Sequence, residues 1–291
     1  MNKIITVLLT AALLSFATYA DEAVSCDDGS ECITIGLWDI GIAVGYGVKS
    51  NPITQFDDIP IYIIPSLAYY GEQWFFDNGN LGYSLLESEN ITVNMTTSFS
   101  SDSAYFSRWD PSNIFVAGGS RVSTELANSS SFWDVDDLYA LNFNELEDRK
   151  VTVLGGVETF FYTRAGIFNI ALAHDLLDVH SGMEAQLKWM YRLAFSQWKL
   201  ELAASANWKS QEIVNYYYGV RSSENYYWNQ AYNPGSATNL SLTLTTQYAI
   251  NQHWELLFLA HYTDLADEIV ASPLINEHSS NTFFVGVAYR F

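Results

Sequence analysis

Two of the five histidines have an acid nearby in a way that could support proton transfer: His174 precedes Asp175, and His261 lies three residues before Asp264. A histidine held by a carboxylate is a general base for activating a serine or a water. Both pairs fall near the ends of extended segments, where a membrane-barrel protease or phospholipase would keep its chemistry. The plainer reading, polar residues at an interface or in a lumen, is adopted, and the chain is read as non-catalytic. Neither His nor Cys recurs with zinc-ligand spacing, so no metal and no cofactor is expected. The Asn-x-Ser/Thr matches at Asn90, Asn94, Asn128 and Asn239 are assigned nothing.

The two cysteines, Cys26 and Cys32, flank Asp27-Asp28-Gly29-Ser30-Glu31. In an exported protein a disulfide closing this small loop is the expected state, with a weak cation loop or two free thiols as alternatives. Export is expected because residues 1–20 read as a secretory signal. Lys3 precedes the apolar run Ile4 to Phe16, and Thr18-Tyr19-Ala20 leads into Asp21-Glu22. The mature chain is then a single domain, 21–291, whose residues 21–32 form a short periplasmic tail.

Charge removes one class of partner. With 33 acidic residues against 13 basic ones the formal charge is −20, which a phosphate backbone would repel, so no nucleic acid is expected. Aromatic residues make up 15% of the chain, with 9 Trp, 19 Tyr and 17 Phe, more than a soluble core needs. After the signal no apolar run approaches the ~18 residues of a spanning helix. If the chain crosses a membrane, it crosses with strands.

The elements that must position these residues are extended. From about residue 33 the chain breaks into segments in which apolar and polar side chains alternate with a period of two. In 182–195, Met183, Ala185, Leu187, Trp189, Tyr191, Leu193 and Phe195 oppose Glu184, Gln186, Lys188 and Arg192. In 197–209, Trp198, Leu200, Leu202 and Trp208 oppose Lys199, Glu201, Ser205 and Asn207. Tyr and Trp gather toward the ends of apolar faces, with aliphatics between them, which is the girdle of a membrane barrel. The segments also approach the ~9–11 residues of a tilted spanning strand.

Twelve such strands are expected, at 33–48, 59–70, 72–77, 80–86, 90–101, 150–162, 165–175, 182–195, 197–209, 237–249, 252–264 and 282–291. Ten or fourteen are alternatives, because 72–77 and 80–86, a hairpin joined by Asp77-Asn78-Gly79-Asn80, are too short to span unaided and Ile213 to Val220 also reads as a strand. The expected fold is therefore an all-β, antiparallel transmembrane barrel with both termini periplasmic. Tight connections near Gly71, Ser88, Thr163, Ser196 and Asn251 lie on one side, and long ones, above all 102–149, lie on the other.

Four expectations follow. Glu184, Lys188, Arg192, Lys199 and Glu201 are lumenal charges that pair across the interior or line a narrow pore. The acidic stretch from Asp102 to Asp148 is a solvated surface that could gather cations near lipopolysaccharide. The tyrosine-rich stretch Tyr216 to Tyr232 either contacts a partner or packs in the barrel mouth. Phe283, Val285, Val287, Tyr289 and Phe291 share one face of the last strand, and that aromatic ending looks like the signal read by the barrel-assembly machinery.

Several blocks in order carry a resemblance: Gly36-Leu37-Trp38 with Gly45-Tyr46-Gly47, Ile64-Pro65, Tyr69-Tyr70-Gly71 before Trp74-Phe75-Phe76, Tyr216-Tyr217-Tyr218-Gly219-Val220, Tyr232-Asn233-Pro234-Gly235, Ser272-Pro273-Leu274 and the closing strand. Together they resemble the MltA-interacting protein/OmpV group of outer-membrane proteins. The resemblance implies a location in the Gram-negative outer membrane and a scaffolding role between a murein lytic transglycosylase and a penicillin-binding protein. A narrow porin-like channel and a surface adhesin are the alternatives. The length and acidity of 107–148 and the Cys26/Cys32 pair lie outside the shared pattern.

Overall fold

The computed structural model describes residues 35–114, 141–143 and 146–291. Twelve antiparallel strands follow one another round a closed barrel: β1 (Trp38–Lys49), β2 (Ile59–Tyr70), β3 (Trp74–Asp77), β4 (Asn80–Glu87), β5 (Ile91–Phe99), β6 (Val153–Thr163), β7 (Gly166–Asp175), β8 (Met183–Phe195), β9 (Trp198–Lys209), β10 (Ala237–Ala249), β11 (Trp254–Asp264) and β12 (Ser279–Arg290). β1 closes on β12 from Gly41 opposite Arg290 to Lys49 opposite Thr282. β1 begins at Trp38, later than its alternation suggested, because Gly36 at φ 84° turns the chain and donates its N–H to Tyr70 O. The signal segment and Cys26 and Cys32 lie outside the described residues.

Alternation sorts the two faces. Outward-pointing Ile42, Val44, Leu187, Leu193, Leu240, Leu242 and Val285 are exposed around the barrel. So continuous an apolar band is costly in water but is the lipid-facing surface of a spanning barrel. Aromatic pairs rim the end that carries the tight turns: Trp38 with Tyr69 at 5.1 Å, Trp74 with Tyr83 at 4.7 Å, Trp198 with Tyr248 and Trp254 with Tyr289 at 4.8 Å. Tyr46, Tyr62, Trp208 and Tyr262 are exposed toward the opposite, long-loop end.

Two segments bear on the expected strand count. The β3–β4 hairpin turns at Asn78 (φ 47°) and Gly79 (φ 91°), the left-handed pair that a tight hairpin requires, and its neighbours do not lengthen it. β2 therefore meets β3 only through Ala68, Tyr69 and Tyr70. Beyond that point β2 has no second partner strand among the described residues, and it carries Pro60 and Pro65, which an interior strand tolerates poorly.

The second is Ile213 to Val220, which departs from the sequence reading because it is not a strand. Residues Gln211–Tyr218 form a helix. Ile213, Val214, Tyr217 and Tyr218 share one of its faces and are wholly buried, so packing overrides the β-preference of these β-branched and aromatic residues.

Inside, one side of the barrel is apolar. Ala43, Ile61, Ile64, Leu259 and Phe284 pack together. The Phe284 ring lies on wall glycines, where a Cβ at Gly45 or Gly286 would come within 2.8 or 2.7 Å of its Cζ. The remaining lumen, lined by residues of β5 to β12 and by Lys49 at the end of β1, is polar.

Candidate functional site

Helical segments of the long connections fold back into the long-loop mouth and cap it. Ile213, Val214, Tyr217, Tyr218, Tyr232, Leu265 and Ile269 form one buried cluster, with Phe106 and Ile275 against it. Each such side chain contributes ~1.5–3 kcal/mol when fully withdrawn from water. The tyrosine-rich stretch thus divides: Tyr217, Tyr218 and Tyr232 pack in the mouth, while Tyr226 and Tyr227 stay exposed.

Polar bonds fix the cap to the wall. Lys209 Nζ, at the inner top of β9, stands 2.5 Å from Asp102 Oδ2, and the Tyr218 hydroxyl donates to Asp102 Oδ1 at 2.6 Å. Both charged side chains are only 2% exposed, so either one alone would be a charge stranded away from water. Burial, reinforced by the Asp102 carboxylate, pushes the Tyr218 hydroxyl well above its usual pKa and keeps it a donor. Tyr217, raised to about 12 by burial, donates to Lys150 O and Thr152 Oγ1. Arg149 grips Glu224 with both terminal nitrogens, at 2.6 and 3.0 Å, and donates to Gly219 O. Burial opposes ionisation of Glu224, but these bonds hold its carboxyl below the usual range.

The stretch from Asp102 to Asp148 is therefore not all solvated surface. Asp102 and Asp110 are buried, because the first turns after β5 enter the mouth. Residues 115–140, and with them most of that stretch, lie outside the described residues.

Neither histidine–acid pair is assembled. His174 and Asp175 are adjacent on β7 and project to opposite faces. Asp175 instead accepts from the backbone N–H groups of Leu177, His180 and Ser181. His261 points inward, its ring nitrogens 2.8 Å from Thr243 Oγ1 and 2.9 Å from Thr263 Oγ1. Asp264 points outward and meets the Tyr262 hydroxyl at 3.3 Å.

A different histidine is buried beside an acid. His180 Nδ1 accepts the Gly182 N–H at 2.9 Å and lies 3.6 Å from Asp175 Oδ2. Its Nε2 is buried with no hydrogen-bond partner among the described residues, and burial lowers its pKa despite the attraction of Asp175. Its ring packs against Tyr216 and Tyr217 of the cap. It serves as a packing residue under the cap.

Below the cap the lumen widens into a cavity of about 380 Å³ lined by Lys49, Glu184, Lys188, Ser205, Lys209 and Thr243 among others. Arg192 and Glu201 pair at 2.7 Å nearer the tight turns, while Lys199 lines a small recess there with Glu255 and Arg290. Among the described residues no cluster of His, Cys, Asp or Glu is arranged to hold a metal.

The MltA-interacting protein MipA family model matches residues 40–291, every strand except the first two residues of β1. The chain belongs to the MipA family. The MltA-interacting protein of Escherichia coli K12 is 26% identical over 251 residues, covering 86% of this chain and 89% of its own. The putative outer membrane protein YiaT of the same strain is 26% identical over 254 residues, 87% of this chain and 91% of its own. Outer membrane protein Omp26La of Vibrio anguillarum is 27% identical over 291 residues, 99% and 100% of the two chains.

This MipA-family chain is an outer-membrane β-barrel. On its last strand Phe283, Val285, Val287 and Phe291 are exposed on the lipid side, and the Tyr289 ring lies 4.9 Å from that of Phe291. Sequence reasoning missed Asp102, Lys209 and Tyr218. Lys209 was within reach, since it continues the inward parity of Lys199, Glu201, Ser205 and Asn207. Asp102 was not, because nothing local distinguishes it from the other acids that follow β5.

Proposed function

We propose that this MipA-family barrel is a scaffold that holds cell-wall enzymes, a lytic transglycosylase and through it a penicillin-binding synthase, at the inner surface of the outer membrane. In this reading the tight turns and both termini face the periplasm, and the long connections face outward and contact lipopolysaccharide. The last strand, with Phe283, Val285, Val287, Tyr289 and Phe291, is the segment handed to the barrel-assembly machinery. The observation that carries the reading is the cap. A mouth filled by a hydrophobic cluster and locked by a buried Lys209–Asp102 pair suits a protein that stays closed. A porin would keep this mouth open. The name of the Escherichia coli relative, MltA-interacting protein, points to the same partner class.

The test is photo-crosslinking in intact cells. A crosslinker placed at Arg164, Gln197 or Gln252, one in each of three tight turns, is expected to capture a murein hydrolase or synthase. Capture solely from the long connections, by external ligands, would discard the scaffold in favour of an adhesin. Steady unitary currents from the purified barrel in planar bilayers would favour a channel instead.

A further inference from the structure

We infer that the cavity beneath the cap is a binding site for a neutral, hydroxyl-rich solute of monosaccharide size. Its volume of about 380 Å³ falls in the range of small-ligand pockets, ~300–1,000 Å³. Its charges are of both signs and nearly offset. Lys49, Lys188 and Lys209 line it together with Asp102 and Glu184, and the carboxylates of Asp110 and Glu158 act electrostatically on Lys49 and Lys188. A ligand with net charge would upset that balance at a site screened by protein, whereas a sugar would not.

Two of these groups make no hydrogen bond to another described residue. Glu184 stands 3.9 Å from Lys209, an ion-pair contact without a hydrogen bond. Lys188, four residues along the same inward face of β8, has no hydrogen bond or ion pair with any other described residue. One is an acceptor and the other a triple donor, and a sugar hydroxyl serves either. Across the cavity Ser241 with Thr263, at 3.0 Å, and Thr243 with His261, at 2.8 Å, form a rank of hydroxyls that keep spare lone pairs. Tyr105 and Phe99 add apolar surface for the face of a ring. The cap closes the long-loop mouth, so the solute arrives from the end with the tight turns. This inference does not depend on the scaffold reading, and either can fail alone.

The test is titration calorimetry of the full mature chain, refolded in detergent, against D-glucose and D-galactose, with glucuronate and glucosamine as charged counterparts. At least one neutral hexose is expected to bind, and Glu184→Gln and Lys188→Met are each expected to weaken it by roughly tenfold or more, the worth of one charge-assisted hydrogen bond. Absence of heat with both hexoses overturns the inference. So does tighter binding of a charged counterpart, or unchanged affinity in both variants. Wild-type hydrogen exchange covers the case of a variant that fails to insert. Hexose must slow exchange in 183–195 and 237–249, and unaltered exchange there overturns the inference equally.

Discussion

Replacing Lys209 by Met removes, among the described residues, the only cation within 3 Å of the buried Asp102 carboxylate and leaves it the Tyr218 hydroxyl. Breaking one side of a buried pair costs about 3–5 kcal/mol, mostly because the surviving charge is stranded away from water. Here Asp102 holds loop to wall, so the cost falls on cap closure rather than on the strand ladder. At about 1.4 kcal/mol per tenfold, the open fraction of the cap should rise by roughly two to nearly four powers of ten. Hydrogen exchange followed by mass spectrometry reads this directly. Peptides from 211–232 should lose protection by that factor in Lys209→Met, while peptides from β6 and β7 keep theirs. Asp102→Asn should do comparable damage by stranding Lys209, whose next carboxylate, Glu184, is 3.9 Å away. The double variant Asp102→Asn/Lys209→Met should lose less than the sum of the two, since it strands no charge. Full additivity, or protection of 211–232 unchanged in either single variant, would refute the claim that this pair locks the cap.

Other perturbations separate wall from cap. A Cβ at Gly82 would sit 2.0 Å from Cζ of the facing Phe75, so Gly82→Ala should destabilise the barrel by about 1–3 kcal/mol, and Phe75→Leu should recover part of it in urea titrations followed by gel mobility. Arg192 and Glu201 are 55% and 31% exposed, so Arg192→Ala should shift the same titration by less than about 1 kcal/mol. Glu224 is held below its usual pKa, so its bond to Arg149 stabilises the cap above the ordinary carboxylate range and is lost as pH falls through the lower, folded value. Protection of 219–232 should therefore be flat near neutrality and fall in acid, and Glu224→Gln should abolish that acid-dependent step.

The wall was legible in the sequence because a strand between lipid and lumen must alternate at every step. Met183 to Phe195 and Trp198 to Trp208 state which side faces lipid without reference to anything distant. The short β3–β4 hairpin was visible too, through Asn78-Gly79, as was its failure to span. The cap was not legible. Ile213, Val214, Tyr217 and Tyr218 suit a strand by composition, and only the mouth they fill makes them a helix. Asp102 reads as one more acid in an acidic loop, since its partner comes from a strand 107 residues later. His174 and His261 looked chemical for the converse reason, because adjacency in sequence places alternate strand residues on opposite sides of a wall.

That separation bears on any attempt to pare the protein down. The ammonium of Lys209 belongs to the wall by sequence, yet its counter-charge arrives on a connection that a designer would trim first. A minimal barrel made by excising residues 101–114 would keep every strand and still leave a cation facing the interior with Glu184 at 3.9 Å as its nearest relief. Such a derivative needs Lys209 exchanged for an uncharged residue in the same step. The first turns after β5 therefore act as a keystone, because through Asp102 they supply the counter-charge of a wall residue.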